Sequence, residues 1–340
     1  MTPGREVLLV GNPDPTHVGA HLAQAAGALG IPCRVCDVSQ AFAGPAWRRR
    51  WMWRMGGHRP PALAAFSAGV VEVCRAARPR RLLATGLAPL TRGALEAVGR
   101  LGIERINYLT DDPWNPAHRA AWFLKALPSY DRIVSPRRAV VEDLQHLGCR
   151  AVSVLPFAYN PSVHFPEPPA TTQERARFAN DVLFAGGADR DRVPWMAGLL
   201  RAGFSVALYG EAWGRFPETR GRHLGHASPD ILRRAVGGAK VALGLVRRAN
   251  RDGHAMRTFE IPAMGGCPLM EDTDDHRALF GEEGRAALYF RALPELCEKL
   301  RWLLGREEER RRLAEAAHRL VIEGRHTYRD RLAAMLDLAS

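Results

Sequence analysis

Apolar residues along this chain gather in short runs, each closed by glycine, proline or a charged residue. EVLLVG (6–11), IPCRVCDV (31–38), RLLATG (81–86), INYLTD (106–111), YDRIVSP (130–136) and AVSVLPF (151–157) read as strands. Between them, HVGAHLAQAAGALG (17–30) and LTRGALEAVGRLG (90–102) carry small and apolar residues at helical spacing. Strands alternating with helices specify a parallel sheet covered on both faces. The rhythm stops at AYNPSVHFPEPPATTQ (158–173), a proline-rich stretch without periodicity that reads as an exposed linker.

A second alternation follows. DVLFAGG, FSVALYG, RHLG, AKVALGLV, CPLMED and AALYF are strand candidates; MAGLLRAG, SPDILRRAVGGA, MRTFEIPAMG and PELCEKLRWLLGREEERRRLAEAAHRLV are helix candidates. Ser228, followed by Pro229 and Asp230, reads as an N-cap. The expected fold class is α/β, two doubly wound Rossmann-like domains facing across a cleft. The boundaries are an N-terminal domain at 1–157, a linker at 158–178 and a C-terminal domain at 179–322. Ligands of such sheets bind at the carboxyl ends of the strands.

Length and composition agree: 340 residues, 46% of them hydrophobic, suit two domains with ordinary cores. No run of 18 apolar residues occurs, and MTPGREVLLVG meets polar residues too early for a signal-peptide core, so a soluble, cytoplasmic protein is expected. The six cysteines, at 33, 36, 74, 149, 267 and 297, are too scattered for a disulfide framework. Cys33 and Cys36 resemble a CxxC pair, but on a strand they point to opposite faces, and a buried strand is the favoured reading. A net charge of +12 invites nucleic acid, yet lysine occurs only at 125, 240 and 299, and the arginines are dispersed. Generic surface use, or sites for phosphates and carboxylates, suits that pattern better than a duplex-binding face, and no nucleic-acid partner is expected.

The densest polar equipment is RDGHAMRTFEIPAMGG (251–266). Arg257 and Glu260, three apart on a helix, share a face near its N-terminus, where unpaired N–H groups favour a phosphate. Arg257 adds a planar double donor, Gly253 permits close backbone approach, and Glu260 can accept from two vicinal hydroxyls of a ribose. The alternative is that Arg257 and Glu260 merely pair with each other on the surface. Pro262 is comfortable only if the helix begins near Glu260.

The pieces DVLFAGGADRDR, ALYGEAW, RHLGHASPDILRRA, AKVALGLV, RDGHAMRTFEIPAMGG, MEDTDDHRALF, PELCEKLRWLLGREEERRRLA and GRHTYRDRL, in this order, resemble the CgeB-like glycosyltransferases, within the retaining nucleotide-sugar transferases of GT-B fold. YLTDDPWNP, YDRIVSP and VLPFAYNPSVHFP extend the resemblance more loosely to the N-terminal half. It implies transfer of a sugar from a nucleotide-diphosphate donor, which is a substrate, with no cofactor. Wider relatives carry an E-x7-E pair in the donor pocket; Glu260 matches its ribose-binding second position, and Asp252 stands at the first. The resemblance also implies Arg192 near the donor phosphates, with Tyr209, Gly210 and Trp213 at the nucleotide end. Gly187, His254 and Thr258 complete the donor set. Tyr209 and Trp213 are equally well read as core aromatics. The final segment, 323–340, is implied to cross back to the first domain and bury Tyr328, Leu332, Met335 and Leu336 there.

Glycosyl transfer builds positive charge on the sugar and negative charge on the departing diphosphate. Arg257, Arg192 and the helix N-terminus suit the second task, and no metal is expected, DTDD (272–275) reading as a helix-capping loop. Asp111 and Asp112, after INYLT, and His17, in GNPDPTHVG, are the catalytic candidates; an Asp-Pro turn and an exposed histidine are the plainer alternatives. WRRRWMWRM (47–55) either meets a membrane surface, a lipid-linked acceptor or an acidic polymer, or buries its tryptophans in the first domain, the reading favoured here. The acceptor stays unknown. A glycosyltransferase is the leading function, and a non-catalytic nucleotide- or sugar-binding protein is the alternative.

Overall fold

The structure is a computed structural model describing residues 6–338; residues 1–5, part of the stretch read against a signal peptide, and 339–340, at the end of the final segment, lie outside the described residues. The chain forms two units. One comprises the residues up to Pro156, Ala249–Arg251 and the C-terminal residues from Tyr328; the other comprises Phe157–Arg248 and Asp252–Thr327.

The first unit holds a parallel six-stranded sheet of β1 (Val7–Gly11), β2 (Cys33–Asp37), β3 (Arg81–Thr85), β4 (Glu104–Tyr108), β5 (Arg132–Ser135) and β6 (Val152–Val154). Its order is β2-β1-β3-β4-β5-β6. The central strands are apolar on both faces because helices cover both: Leu8, Val10, Leu82 and Ala84 pack with Val70, Cys74, Leu95 and Val98. Cys33 and Cys36 lie on β2, which is an edge strand and only half-buried, so the expectation of a buried strand is corrected. The helix Tyr328–Met335 belongs to this unit, with Tyr328, Leu332, Met335 and Leu336 buried and the Tyr328 ring stacked on His21 at 5.0 Å.

In the second unit β7 (Asn180–Ala185), β8 (Val206–Tyr209), β9 (Ala239–Gly244), β10 (Pro268–Glu271) and β11 (Leu288–Phe290) make a parallel sheet of order β11-β10-β9-β7-β8. RHLG is not a strand: Arg220–Arg222 form a 3-10 turn, Gly225 has positive φ, and only His223 makes a bridge, to Leu208. The long C-terminal helical stretch breaks at Gly305 into Leu293–Leu304 and Glu307–Glu323. Ser228 does precede the helix Pro229–Gly238, but its hydroxyl bonds the Asp230 carboxylate instead of a backbone N–H.

The proline-rich stretch is no exposed linker. Phe157, Ala158, Tyr159, Asn160 and His164 are buried. Arg233 donates to Glu167 (2.5 Å) and to the Val163 carbonyl (3.0 Å), which fastens the stretch to the helix Pro229–Gly238. Thr172–Phe178 then form a helix closed by a capping box between Thr171 and Glu174.

Counted from its own first strand, the first sheet reads 2-1-3-4-5-6 and the second 2-1-3-4-5. The strand order therefore reverses between β1 and β3 in one unit and between β7 and β9 in the other, and loops leaving the carboxyl ends of such neighbours frame the usual ligand crevice. Among the described residues no helix is long and apolar enough to cross a membrane. Because Leu332 is fully buried in the first unit, Leu332→Ala is expected to cost about 2–4 kcal/mol of stability, read as a lowered midpoint in chemical denaturation.

Candidate functional site

Two loops leave the sheet at the β7/β9 reversal of the second unit. The loop after β7 folds on glycines. Gly186 N–H donates to the Tyr209 carbonyl, and Gly210, at φ +129°, lies so close that a Cβ there would sit 2.4 Å from the Gly186 oxygen. Trp213, fully buried against Phe184, donates its indole N–H to that same oxygen at 2.8 Å. Trp213 is thus a core side chain that shapes the loop from beneath. Tyr209 is likewise buried in the apolar core, where burial raises its phenol pKa, so neither ring lines an open pocket.

Asp189 Oδ1 accepts from the N–H groups of Asp191 and Arg192, turning the chain into the helix Val193–Arg201. Arg192 is buried and donates to the carbonyls of Gly187 (3.3 Å) and Leu245 (3.1 Å), thereby joining the two loops. Its Nε has no hydrogen-bond acceptor among the described residues; Asp189 Oδ2 stands 3.7 Å away. Burial, reinforced by the neighbouring Arg247, lowers the Arg192 pKa from its ordinary value. Arg247, from the loop after β9, reaches over Gly187, with its Nε 3.5 Å from Asp189 Oδ2. Two guanidiniums thus converge on one carboxylate, leaving a surplus of positive charge at the strand ends. Arg247 was not among the residues singled out from sequence; its only signal there is its place directly after the strand run AKVALGLV.

Asp252 accepts the Arg247 backbone N–H (3.3 Å) and so closes the β9 loop on itself. Gly253 is packed against Asp275, whose carboxylate would lie 2.3 Å from any Cβ. That closeness seats the next residue: His254 is buried, with Nδ1 2.8 Å from Asp275 Oδ2 and Nε2 accepting the Phe157 N–H at 3.2 Å. His254 therefore spends both ring nitrogens inside the protein. Thr258 Oγ1 accepts the Ala255 N–H and lies 3.1 Å from His276 Nε2. His276 Nδ1 faces the Glu271 carbonyl at 2.7 Å, so the proton sits on Nδ1 and Nε2 accepts from the Thr258 hydroxyl. The acidic DTDD loop caps the helix Asp274–Phe280 through Thr273, while Asp272 is held by Arg277 and Arg291.

The helix itself runs from Arg257 to Ala263 and contains Pro262 near its end. Arg257 pairs with Glu260, as their spacing allows, but this is no surface pair: Glu260 is fully buried. The other oxygen, Oε1, has no hydrogen-bond partner among the described residues. His164 Nε2, from the proline-rich stretch, stands 3.6 Å from it. His164 Nδ1 accepts the Asn160 N–H, which leaves the proton on Nε2, facing the carboxylate. His164 was missed in the sequence because its stretch was read as solvent-exposed.

Residues 192–337 match the family described as "Glycosyl transferase-like". No characterised protein matches the chain by sequence. Among solved structures, the chain is similar to sucrose-phosphate synthase from Thermosynechococcus elongatus (11% identity, 98% of each chain, TM-score 0.68). It is also similar to a glycosyltransferase from Rickettsia africae (12% identity, 99% of this chain and 98% of that one, TM-score 0.65). A third is Anabaena HepE in complex with UDP (14% identity, 98% of this chain and 100% of that one, TM-score 0.62).

The fold is GT-B.

In this GT-B chain the three residues expected to act on the acceptor lie in the first unit. His17 is exposed at the start of the helix Val18–Ala28, after β1. Asp111 and Asp112 follow β4. Asp112 is buried, and a bidentate Arg251 guanidinium (2.6 and 3.1 Å) and the Trp114 N–H (2.9 Å) occupy its oxygens. Asp111 is half-buried, with Oδ2 3.2 Å from the Thr110 hydroxyl, and is the freer of the two.

Two outcomes follow. Gly210→Ala is expected to destabilise the protein by about 1–3 kcal/mol, since φ is positive and the loop after β7 leaves no room for a methyl group; denaturant unfolding reads it. Burial pushes His276 down to about 4, so the unfolded chain takes up a proton near pH 6.5 that the folded chain refuses. Stability present above pH 6.5 should be lost as the pH falls toward 4, by roughly 3 kcal/mol. Thermal unfolding of His276→Gln should decline less over that window than the wild type, and parallel profiles would rule the assignment out.

Proposed function

We propose that the protein is a glycosyltransferase of the CgeB-like kind, taking a hexose from a nucleoside-diphosphate donor and passing it with retention to an acceptor hydroxyl. The reading is carried by one observation: Glu260, fully buried with an unpartnered Oε1, stands within a stretch that resembles glycosyltransferases. A buried carboxylate oxygen with no donor is costly, and the hydroxyls of a ribose would satisfy it. The similarity to Anabaena HepE, solved with UDP and with UDP-glucose, supports a uridine diphosphate sugar as donor.

In this reading the bond between the anomeric carbon and the diphosphate oxygen breaks, and the electron pair leaves with the phosphate. Arg192 and Arg247 at the β7/β9 reversal, and Arg257 beyond them, receive that charge; a phosphate competes with Asp189 for the first two. Because three guanidiniums supply the counter-charge, catalysis needs no metal, and activity should persist in the presence of EDTA. Asp252 lies toward the sugar, and its shorter carboxylate narrows what it reaches. Asp111 and His17 orient the acceptor.

The alternative, a nucleotide-sugar binder without turnover, draws on Asp112 being fully occupied by Arg251. Release of UDP from UDP-sugars separates the two. In thermal-shift measurements a ligand at 100 times its Kd adds ~2.7 kcal/mol of stability. Glu260→Gln, which keeps the volume, should abolish the shift given by the preferred nucleotide sugar, and Arg247→Ala should weaken binding about tenfold, the loss of one charge-assisted contact. An undiminished shift in Glu260→Gln would remove that residue from the donor pocket and the proposal with it.

A further inference from the structure

We propose that the first unit docks on anionic phospholipid surfaces through the helix Ala46–Met55. This goes beyond glycosyl transfer and does not depend on it. WRRRWMWRM does not bury its tryptophans, contrary to the reading favoured from sequence: the helix has no buried residue. Trp47 is 72% exposed, Trp51 59%, Trp53 40% and Met55 74%. Four of the ten exposed large hydrophobic side chains among the described residues therefore sit on this one helix. A ten-residue helix is marginal alone in water, and one that buries nothing lacks the tertiary packing that normally holds it.

The arrangement on the helix is specific. Trp47, Trp51 and Met55 follow at i, i+4 and i+8 and form one outward stripe. Arg48 flanks the stripe on one side, Arg50 and Arg54 on the other. The opposite side, with Arg49 and Trp53, turns toward a cavity of about 700 Å³ that Phe42, Arg50, Arg54 and Arg59 also line. From residue 38 to residue 71 the chain carries five arginines and no aspartate or glutamate. Tryptophan and methionine at the level of lipid headgroups, with arginine reaching the phosphates, is how an interfacial helix lies in a bilayer surface. Charge complementarity selects anionic over zwitterionic lipid. The mixed apolar and cationic lining of the cavity suits a lipid phosphate with its proximal chain.

Co-sedimentation of the full chain with vesicles tests this. Binding is expected to phosphatidylglycerol vesicles and not to phosphatidylcholine vesicles, and to weaken as salt is raised. Arg48→Glu, Arg49→Glu, Arg50→Glu and Arg54→Glu together should cut it by about a hundredfold or more, at roughly fivefold per arginine. Trp47→Ser with Trp51→Ser should also weaken it, and brominated phosphatidylglycerol should quench the wild-type tryptophan emission more than that of the double variant. Because the helix buries nothing, all variants should keep the wild-type melting temperature; if the fourfold variant does not, Arg48→Glu with Arg54→Glu replaces it. Absence of binding to phosphatidylglycerol would overturn the proposal. So would binding that the tryptophan substitutions leave unchanged and that soluble poly-glutamate displaces, since that outcome assigns the helix to an acidic polymer.

Discussion

The pairing of Arg257 with Glu260, a carboxyl group wholly removed from water, organises much of the local architecture of the second unit. Effective desolvation of such an ion amounts to several kcal/mol. Arg257 answers from one turn away on the same helix, which requires that helix to begin at Arg257 rather than near Glu260. Pro262 then falls inside the helix, a position that a proline tolerates poorly in a long helix but that matters little here, since the helix ends one residue later. His164 approaches the second oxygen, and it can do so only because the proline-rich stretch is sewn down by Arg233 and Glu167. A segment that looks like a tether is thereby made part of a site.

The same economy of charge governs the loops at the strand ends. Arg192 is buried with an unused Nε, and Arg247 leans over Gly187; both lie near one Asp189 oxygen that hydrogen-bonds to neither. One carboxylate thus neutralises part of two cations. His254, Thr258 and His276, all buried, and the partly exposed Asp275 form a second tier that fixes the backbone of residues 253–258. Their hydrogen bonds are local and mostly neutral, which suits positioning more than chemistry.

How much of this the sequence discloses depends on whether a residue's role is set by its neighbours in the chain or by distant ones. The βαβ alternation, the strand ends and the helix starts at Thr91 and Thr273 arise from local periodicity and capping, and they are legible. Burial at Tyr328, Leu332, Met335 and Leu336 has the spacing of an apolar helix face and is legible too. His164 and Arg247 are not, because their positions depend on strand order, which a linear pattern does not encode. Thr171 and Glu174 were legible in principle, since the T-x-x-E spacing of a capping box is local, but the prolines before them hid it. The tryptophans at 47, 51 and 53 mislead for a different reason. Their hydrophobicity argues for burial, and only the absence of any covering element shows that the first unit leaves them to solvent.

Both sheets reverse direction beside their first strand, so topology alone offers two equivalent crevices, and the side chains at the reversals must decide between them. At β1/β3 the loop GNPDPTH folds around Asp14, whose carboxylate accepts from Thr16, and His17 is exposed beside it. No arginine or lysine occurs from Asn12 to Val18 or from Gly86 to Leu90, so a diphosphate would meet an acidic loop without counter-charge there. At β7/β9 the equivalent loops bring Arg192 and Arg247 together over glycine backbone. Counter-charge for a diphosphate is therefore present at the β7/β9 reversal and absent from the β1/β3 loops among the described residues. That asymmetry is the physical basis for proposing the second unit as the donor side, and the first, with its exposed histidine and half-buried Asp111, as the side of a partner without phosphate at its reacting end.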